Sequence, residues 1–365
     1  MEVQKRKATA LQLLKKLGEA HGAPGCENAV RRIFRQELDG SVRTDKSGNI
    51  IQEKEGLKVN PRIMLTAHMD EVGFAVQSIT KAGMIKMVPL GGWWTHTLLA
   101  QRVRILTQEG REVLGVVGAK PPHFLSEAER EKVMKLDDMF VDVGALNAED
   151  VRDRFGISPG DVVVPESPFT PMHNPDFLLC KAFDNRAGMA LTIQAMQMLK
   201  KIAHPNTILA VGTVQEEVGV RGARTAAFGV NPDAAIVLEG TPADDLPGFS
   251  DEERQGQLGK GVQIRIMDPS AIMNRRFVQF AVQVAETNKV RYQLAVRKSG
   301  GTDARVIHLN GTGVPTIVLG VPARYIHTHN AVIHMEDYLS ALELVLQLAE
   351  SLDAATVESF TAFND

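Results

Sequence analysis

Four short, nearly continuous apolar runs constrain the fold of this 365-residue chain more than any other feature. They span residues 62–67, 207–214, 234–238 and 315–320. A strand that is apolar along its whole length must be covered on both faces, as in parallel sheets flanked by helices. Helical apolar spacing around 11–17, over 26–38, over 185–201 and around 339–349 supplies such helices. The sequence therefore predicts an α/β fold.

Residues 73–165 follow a different pattern. Six short strand-like runs are separated there by turn-forming residues, which is typical of a small all-β domain. A chain of 365 residues is long enough for two domains. We therefore expect an α/β domain formed by residues 1–72 and 166–365, interrupted by an inserted β domain over 73–165.

Composition narrows the classes of function. The 41 Lys and Arg against 44 Asp and Glu give a net charge of −3, which does not indicate a nucleic-acid partner. The N-terminal stretch is rich in charges, so neither a signal peptide nor a membrane span is expected. Cys26 and Cys180 are too few for a disulfide framework, and we expect a cytoplasmic protein.

Acidic residues and histidines lie just beyond the predicted strands, where open α/β sheets bind their ligands. The seven candidates are His68, Asp70, Asp184, Glu216, Glu217, Glu239 and His327. Two adjacent carboxylates such as Glu216 and Glu217 are costly to bury unless a cation neutralises them, and a solvated loop is the alternative. Asp70 lies two residues from His68 and could accept the second ring N–H, fixing the tautomer that binds a metal.

This set of residues fits a hydrolase with two metal ions that share a bridging carboxylate. Oxygen and imidazole ligands favour zinc, cobalt or manganese. The sequence has no HExxH helix, no GxSxG elbow and no phosphate-binding glycine-rich loop, which disfavours other hydrolases and nucleotide-binding proteins.

Five sequence blocks carry a family resemblance. They are TAHMDEVGF at 66, KAFDNRAG at 181, VQEEVGVRGA at 214, SGGTDA at 299 and PARYIHT at 322. The chain resembles the tetrahedral aminopeptidase family, also described as glutamyl aminopeptidase or cellulase M-like, among the co-catalytic dinuclear metallopeptidases. The resemblance implies a mixed sheet flanked by helices with an inserted β-barrel-like domain.

The resemblance also implies roles for the candidates. One divalent ion would be held by His68, Asp184 and Glu239, and a second by Asp184, Glu217 and His327. Glu216 would be the general base for a water activated by the two ions, and Asp70 would orient His68. The implied reaction removes N-terminal residues from short peptides. The insert would mediate dimer contacts, and dimers would assemble into a dodecamer.

Several assignments stay open. The position of Glu239 is commonly Asp in this family, which makes it the least certain ligand. His329 is expected at the surface, with a ligand or substrate contact as the alternative. Arg324 could pair with a site carboxylate or anchor its loop, and Asp303 could serve the site or cap a helix. The preference for the first substrate residue could be acidic, basic or aliphatic.

Three other functions are considered. A deacylase or amidase could use the same two-metal site. A glycoside hydrolase, as the cellulase label suggests, would need only a carboxylate pair and would leave the histidines and Asp184 without a role. A metal-stabilised scaffold without activity would have no need of Glu216.

Overall fold

The computed structural model describes residues 2–362. Residue 1 and residues 363–365, which we expected at the ends of the α/β domain, lie outside this part. The described chain forms a large mixed sheet flanked by helices and a closed antiparallel barrel. This architecture confirms the predicted fold class.

The secondary structure elements of residues 2–362 are as follows. The helices are α1 (Glu2–Glu19), α2 (Asn28–Glu37), α3 (Glu127–Arg130), α4 (Phe183–Leu199), α5 (Arg221–Val230), α6 (Arg275–Thr287), α7 (Ala304–Ile307), α8 (Met335–Ser351) and α9 (Ala354–Ser359). The strands are β1 (Val42–Thr44), β2 (Ile50–Glu55), β3 (Arg62–His68), β4 (Gly73–Ile79), β5 (Ile85–Leu90), β6 (Arg102–Leu106), β7 (Glu112–Ala119), β8 (Met139–Asp142), β9 (Val162–Pro165), β10 (Thr170–Pro171), β11 (Phe177–Cys180), β12 (Thr207–Thr213), β13 (Ala234–Pro242), β14 (Val262–Asp268), β15 (Ala271–Ile272), β16 (Tyr292–Val296), β17 (Thr316–Arg324) and β18 (Ala331–His334).

The four apolar runs form the centre of the large sheet. They are β3, β12, β13 and β17, and they pair in parallel in the order β12-β3-β13-β17. Nearly every residue of these strands is buried, because helices such as α4 and α8 pack against them. Their carboxyl ends therefore lie along one edge of the sheet.

The strands that flank this centre are antiparallel to it. On one side β2 pairs with β12, and on the other β14 and β18 pair with β17. The sequence analysis did not identify β1, β2 or β16, since partly exposed strands leave no continuous apolar run. It also missed β14, which is mostly buried but carries the polar residues Gln263 and Arg265 between its apolar ones. No helix within residues 2–362 is both long and apolar enough to cross a bilayer.

The six strand-like runs of the insert become β4 to β9. They close into a barrel in the order β4-β5-β8-β7-β6-β9. Side chains such as Phe74, Val103 and Val141 fill a hydrophobic core that is separate from the core of the large sheet. The chain enters the barrel directly after β3 and returns to the sheet through β10 and β11.

Gly240 of β13 allows a close approach to α4. A Cβ atom at this position would overlap the backbone oxygen of Phe183 and lie 2.9 Å from Cα of Asp184. We expect Gly240→Ala to lower the free energy of unfolding by about 1 to 3 kcal/mol, because backbone cannot move aside as easily as a side chain. Urea unfolding would measure the change.

Gly229 of α5 provides the matched control, since a Cβ atom added there would meet no atom from the rest of the fold within 4 Å. Gly229→Ala should raise the free energy of unfolding by about 0.5 to 1 kcal/mol through helix propensity. Equal stability of the Gly240→Ala variant and the unmodified protein would contradict the close packing of β13 on α4.

Candidate metal centre

The carboxyl edge of the parallel strands brings all seven candidate residues together. His68 is the last residue of β3, and Asp70 lies in the loop after it. Glu216 and Glu217 follow β12, and Glu239 lies within β13. Asp184 is in the first turn of α4, and His327 is in the loop after β17. Six of them line one cavity of about 440 Å³, and Asp70 lies beneath its floor. Their roles remain a prediction, whereas their proximity is a feature of the fold.

Asp184 lies between the two imidazoles. Its Oδ1 is 3.1 Å from Nε2 of His68, and its Oδ2 is 3.4 Å from Nε2 of His327. One carboxylate therefore presents a separate oxygen to each histidine. This is the arrangement that a bridging ligand between two ions requires.

The remaining distances divide the carboxylates between the two histidines. Oε2 of Glu239 is 3.7 Å from Nε2 of His68, and Oε2 of Glu217 is 3.4 Å from Nε2 of His327. Two ligands at about 2.1 Å from an ion in tetrahedral geometry lie roughly 3.4 Å apart. The spacing of these atoms therefore fits ion binding without large movements.

Three groups in the described residues have ligand atoms within 4.8 Å of one another. Two of them are His68, Asp184 and Glu239, and Asp184, Glu217 and His327, which are the two ligand sets implied by the sequence resemblance. The third contains His68, Glu216 and Glu217. The carboxyl group of Glu216 therefore lies beside both of these candidate ligand sets without belonging to either.

Burial leaves the carboxyl groups poorly compensated. It raises the pKa of Glu217 to about 8, with a further contribution from the charge of Asp184. Burial likewise raises the pKa of Glu216 and of Glu239 well above the usual range. In addition, Oε1 of Glu217 is buried without a hydrogen-bond partner. Divalent cations would supply the missing positive charge, so the donor set fits a metal site.

The negative charges of the site also raise the pKa of His327, because they favour the charged form of the imidazole. Burial disfavours charge on His327, but its hydrogen bond with Asp184 and the nearby Glu217 raise its pKa to about 9. Nδ1 of His327 donates a hydrogen bond to the backbone oxygen of Gly92 at 2.9 Å, which leaves Nε2 facing the carboxylates. Gly92 belongs to the insert. The sequence analysis missed this contact because Gly92 contributes only its backbone oxygen, which every residue has and which the residue type therefore does not reveal.

Asp70 connects two of the ligand-bearing segments. Nδ1 of His68 lies 3.1 Å from its backbone oxygen and 3.5 Å from its carboxylate Oδ1. The carboxylate also accepts hydrogen bonds from the backbone N–H groups of Glu216 and Glu217, at 3.0 and 3.1 Å. Asp70 therefore contacts the His68 ring and holds the Glu216–Glu217 turn, and its role in orienting His68 stays a prediction.

Asn185 connects two further segments and was not identified from the sequence. Its Oδ1 accepts hydrogen bonds from the N–H groups of Gly188 and Gly240, and its Nδ2 donates to the oxygen of Leu238. These contacts tie the start of α4 to β13. The hydrogen bonds to Leu238 and Gly240 thus fix the backbone on both sides of Glu239 relative to the residue that follows Asp184.

The backbone next to the ligands has an unusual conformation. Ala182, Gln215, Tyr325 and His327 have φ angles of 57°, 57°, 59° and 58°, in the left-handed region that disfavours residues with a Cβ. Each costs about 1 to 3 kcal/mol and persists because surrounding contacts enforce it. The segments that carry the candidate ligands are thus held against their local preference.

Three residues with open assignments are now located. Arg324 pairs with Asp245 at 2.6 Å and anchors its loop, and does not contact a site carboxylate. Asp303 is buried and accepts a hydrogen bond from Thr213, and its side chain does not cap α7. The expectation that His329 lies at the surface is wrong: it is 2% exposed, because the insert's Trp93 packs beside its ring.

The charges of the cavity predict how the metal-free protein responds to pH. The pKa of Glu217 rises from 4.5 to about 8 on folding, and that of His327 rises from 6.5 to about 9. Between about pH 4.5 and pH 9 the folded chain therefore binds more protons than the unfolded chain, so the free energy of unfolding falls as the pH rises through this range. We expect thermal unfolding of the chelator-treated protein to show this loss.

Bound metal ions should offset this loss of stability at high pH. The increase in Tm on adding zinc should be larger at about pH 8.5 than at about pH 5.5, because fewer protons then compete with the metal for the carboxylate and imidazole ligands. Glu217→Gln is the control, and its metal-free form should lose less stability with rising pH. The same increase in Tm at both pH values would contradict the charge arrangement described above.

Comparisons with known proteins agree with this geometry. The family model described as M42 glutamyl aminopeptidase matches residues 48–344. The chain is 35% identical to the glutamyl aminopeptidase of Lactococcus lactis subsp. cremoris over 349 residues, which cover 94% of this chain and 97% of that protein.

Solved structures are similar over nearly the whole chain. A TET aminopeptidase from a marine sediment archaeon of the Thaumarchaeota has a TM-score of 0.92 and 39% identity, covering 99% of this chain and 100% of its own. The Pyrococcus horikoshii TET1 peptidase, which can assemble into a tetrahedron or a large octahedral shell, has a TM-score of 0.84 and 30% identity, covering 94% and 100%. The resemblance carried by the five sequence blocks is confirmed: this chain belongs to the M42 glutamyl aminopeptidase family and is a peptidase.

Proposed function

We propose that this protein is a metal-dependent aminopeptidase that removes N-terminal residues from short peptides. The observation that carries this proposal is the position of Asp184, whose two carboxylate oxygens face two different imidazoles. His68 and Glu239 complete one ligand set around Asp184, and Glu217 and His327 complete the other. Zinc, cobalt or manganese would suit these ligands.

The chemistry is divided between the ions and the protein. When bound, two divalent ions lower the pKa of water and polarise a peptide carbonyl. Glu216 is the residue that we assign as general base, because its carboxyl group lies 3.9 Å from the His68 ring and belongs to neither of the two ligand sets around Asp184. It takes a proton from the attacking water and passes it to the leaving amine.

Asp70 supports this role of Glu216. Its carboxylate accepts hydrogen bonds from the backbone N–H groups of Glu216 and Glu217, so both side chains leave a fixed turn. A general base has to lie beside the ions without binding them, and this turn places the Glu216 carboxyl group next to the Glu217 ligand candidate.

The walls of the cavity favour an acidic side chain on the substrate. Arg265, Arg297 and Arg305 line it together with the metal-ligand candidates. Arg265 pairs with Asp268 and Arg297 with Asp244, whereas no carboxylate of residues 2–362 pairs with Arg305. We therefore propose that Arg305 binds the side-chain carboxylate of an N-terminal glutamate or aspartate.

We also propose that residues 73–165 form a separate domain that mediates self-association. Apolar side chains are exposed on it, among them Trp94, Leu114, Val116 and Phe124, and such surfaces mark protein contacts. Dimers that assemble into a dodecamer are the proposed form, in line with the closed shells of the Pyrococcus horikoshii relative.

We further propose a cytoplasmic location, which suits the two unpaired thiols of Cys26 and Cys180.

Glu216→Gln tests the general base. The variant should bind two ions per chain and hydrolyse aminoacyl substrates about a hundred- to ten-thousand-fold more slowly, because only proton transfer is lost. Mass spectrometry of the metal content and kcat measurements would report the two effects. The adjacent Glu217→Gln is the control and should lose metal as well as activity. Hydrolysis by Glu216→Gln at the unmodified rate would show that the mechanism is wrong.

Arg305→Ala tests the substrate preference. We expect kcat/KM for glutamyl and aspartyl substrates to fall about tenfold, the effect of losing one partly exposed charge-assisted hydrogen bond, while alanyl substrates are unaffected. Arg224→Ala, at an exposed position of α5 that does not line the cavity, is the control. A preference of the unmodified enzyme for lysyl or leucyl substrates would refute the acidic preference without affecting the proposed peptidase reaction.

A further inference from the structure

A second cluster of charges is buried beside the metal centre and takes no part in the proposed reaction. Glu71, Lys181 and Arg186 are 1%, 1% and 0% exposed. Nζ of Lys181 lies 2.6 and 2.7 Å from the two carboxylate oxygens of Glu71, and Nη2 of Arg186 lies 3.2 Å from Oε1. The cluster holds two positive charges against one negative charge.

The end of α1 and the segment that follows it complete the cluster with backbone groups. Arg186 donates hydrogen bonds to the oxygens of Leu17, Ala20 and Gly22, and Lys181 donates to the oxygen of Ala20. The N–H of Gly22 donates to Oε1 of Glu71 at 3.1 Å. Most polar atoms of the three side chains thus have partners, as burial of charge demands.

The position of this cluster in the chain connects it to the metal centre. Glu71 directly follows Asp70, which holds the Glu216–Glu217 turn. Lys181 and Arg186 lie on either side of Asp184, three residues before it and two after it. The contact between Glu71 and Lys181 therefore joins the backbone after His68 to the backbone that carries Asp184.

Stability alone is a weak reason for such a cluster, because buried ionic groups can often be replaced by apolar ones without loss of stability. Charge contacts of short, fixed length instead define the distance between two backbone segments. We propose that Glu71, Lys181 and Arg186 form a positioning cluster that holds Asp184 at the distance from His68 at which both can bind the same ion. This inference rests on the metal-dependent function proposed above.

The metal affinity of two variants tests the positioning cluster. Lys181→Met removes one ion-pair partner, and the double variant Glu71→Gln/Lys181→Met removes both charges while Arg186 keeps its three backbone acceptors. The apo proteins would be titrated with Co²⁺, followed by visible absorption and calorimetry. We expect about 10- to 100-fold weaker binding, the usual effect of losing a group that orients a metal ligand. If the single variant does not fold, as judged by circular dichroism, the double variant carries the same expectation.

The activity of the variants should separate positioning from general destabilisation. With excess Co²⁺, kcat should return towards the unmodified value with KM unchanged. Leu346→Ala is the control, because it opens a cavity in the buried face of α8 and lowers stability without touching the site. Its Co²⁺ affinity should equal that of the unmodified protein.

The outcomes distinguish this inference from the function on which it rests. Unmodified affinity in both folded variants, or equally weakened affinity in Leu346→Ala, would overturn the positioning role and leave the peptidase mechanism in place. Failure of the unmodified protein to bind Co²⁺ would instead overturn the metal-dependent function itself.

Discussion

Repulsion between buried carboxylates is the constraint on which the rest of this structure depends. Five carboxylates meet at one edge of the sheet, those of Asp70, Asp184, Glu216, Glu217 and Glu239. Asp70 and Glu239 are buried and the other three are mostly buried, which makes their charges costly. Two of them are compensated within the protein, Asp70 by backbone N–H groups and Asp184 by two imidazoles. The other three have raised pKa values, with burial as the largest cause. The proposed binding of divalent ions would therefore stabilise the fold as well as supply chemistry.

Much of the sheet centre was predictable from the sequence. The strands β3, β12, β13 and β17 are apolar over most of their length because both faces are covered, and this burial is directly visible as continuous apolar runs. Parallel strands share one carboxyl edge, so the polar residues that follow them meet at that edge. His68, Glu239 and His327 could therefore be grouped from the sequence alone, although the distances between their atoms could not be predicted.

The contacts that organise the site were not predictable in the same way. The hydrogen bonds of Asn185 to Leu238 and Gly240 of β13, and that of His327 to Gly92, join a side chain to backbone groups that are far apart in the chain. The burial of His329 depends on Trp93 of the insert. Such contacts follow from the relative placement of whole segments, which periodicity and residue type do not encode. The outer strands β1 and β16 were missed because they are short and partly exposed.

The hydrogen bond between His327 and Gly92 has a consequence for how the two parts of the chain can vary. The imidazole is oriented by a backbone oxygen of the insert, so the sheet and helices alone do not contain everything that shapes the site. The barrel is thus not an exchangeable module. A barrel from another protein would preserve this orientation only if its chain placed a carbonyl oxygen at the same point, whatever its side chains. That requirement concerns backbone position, and percentage identity between two sequences does not measure it.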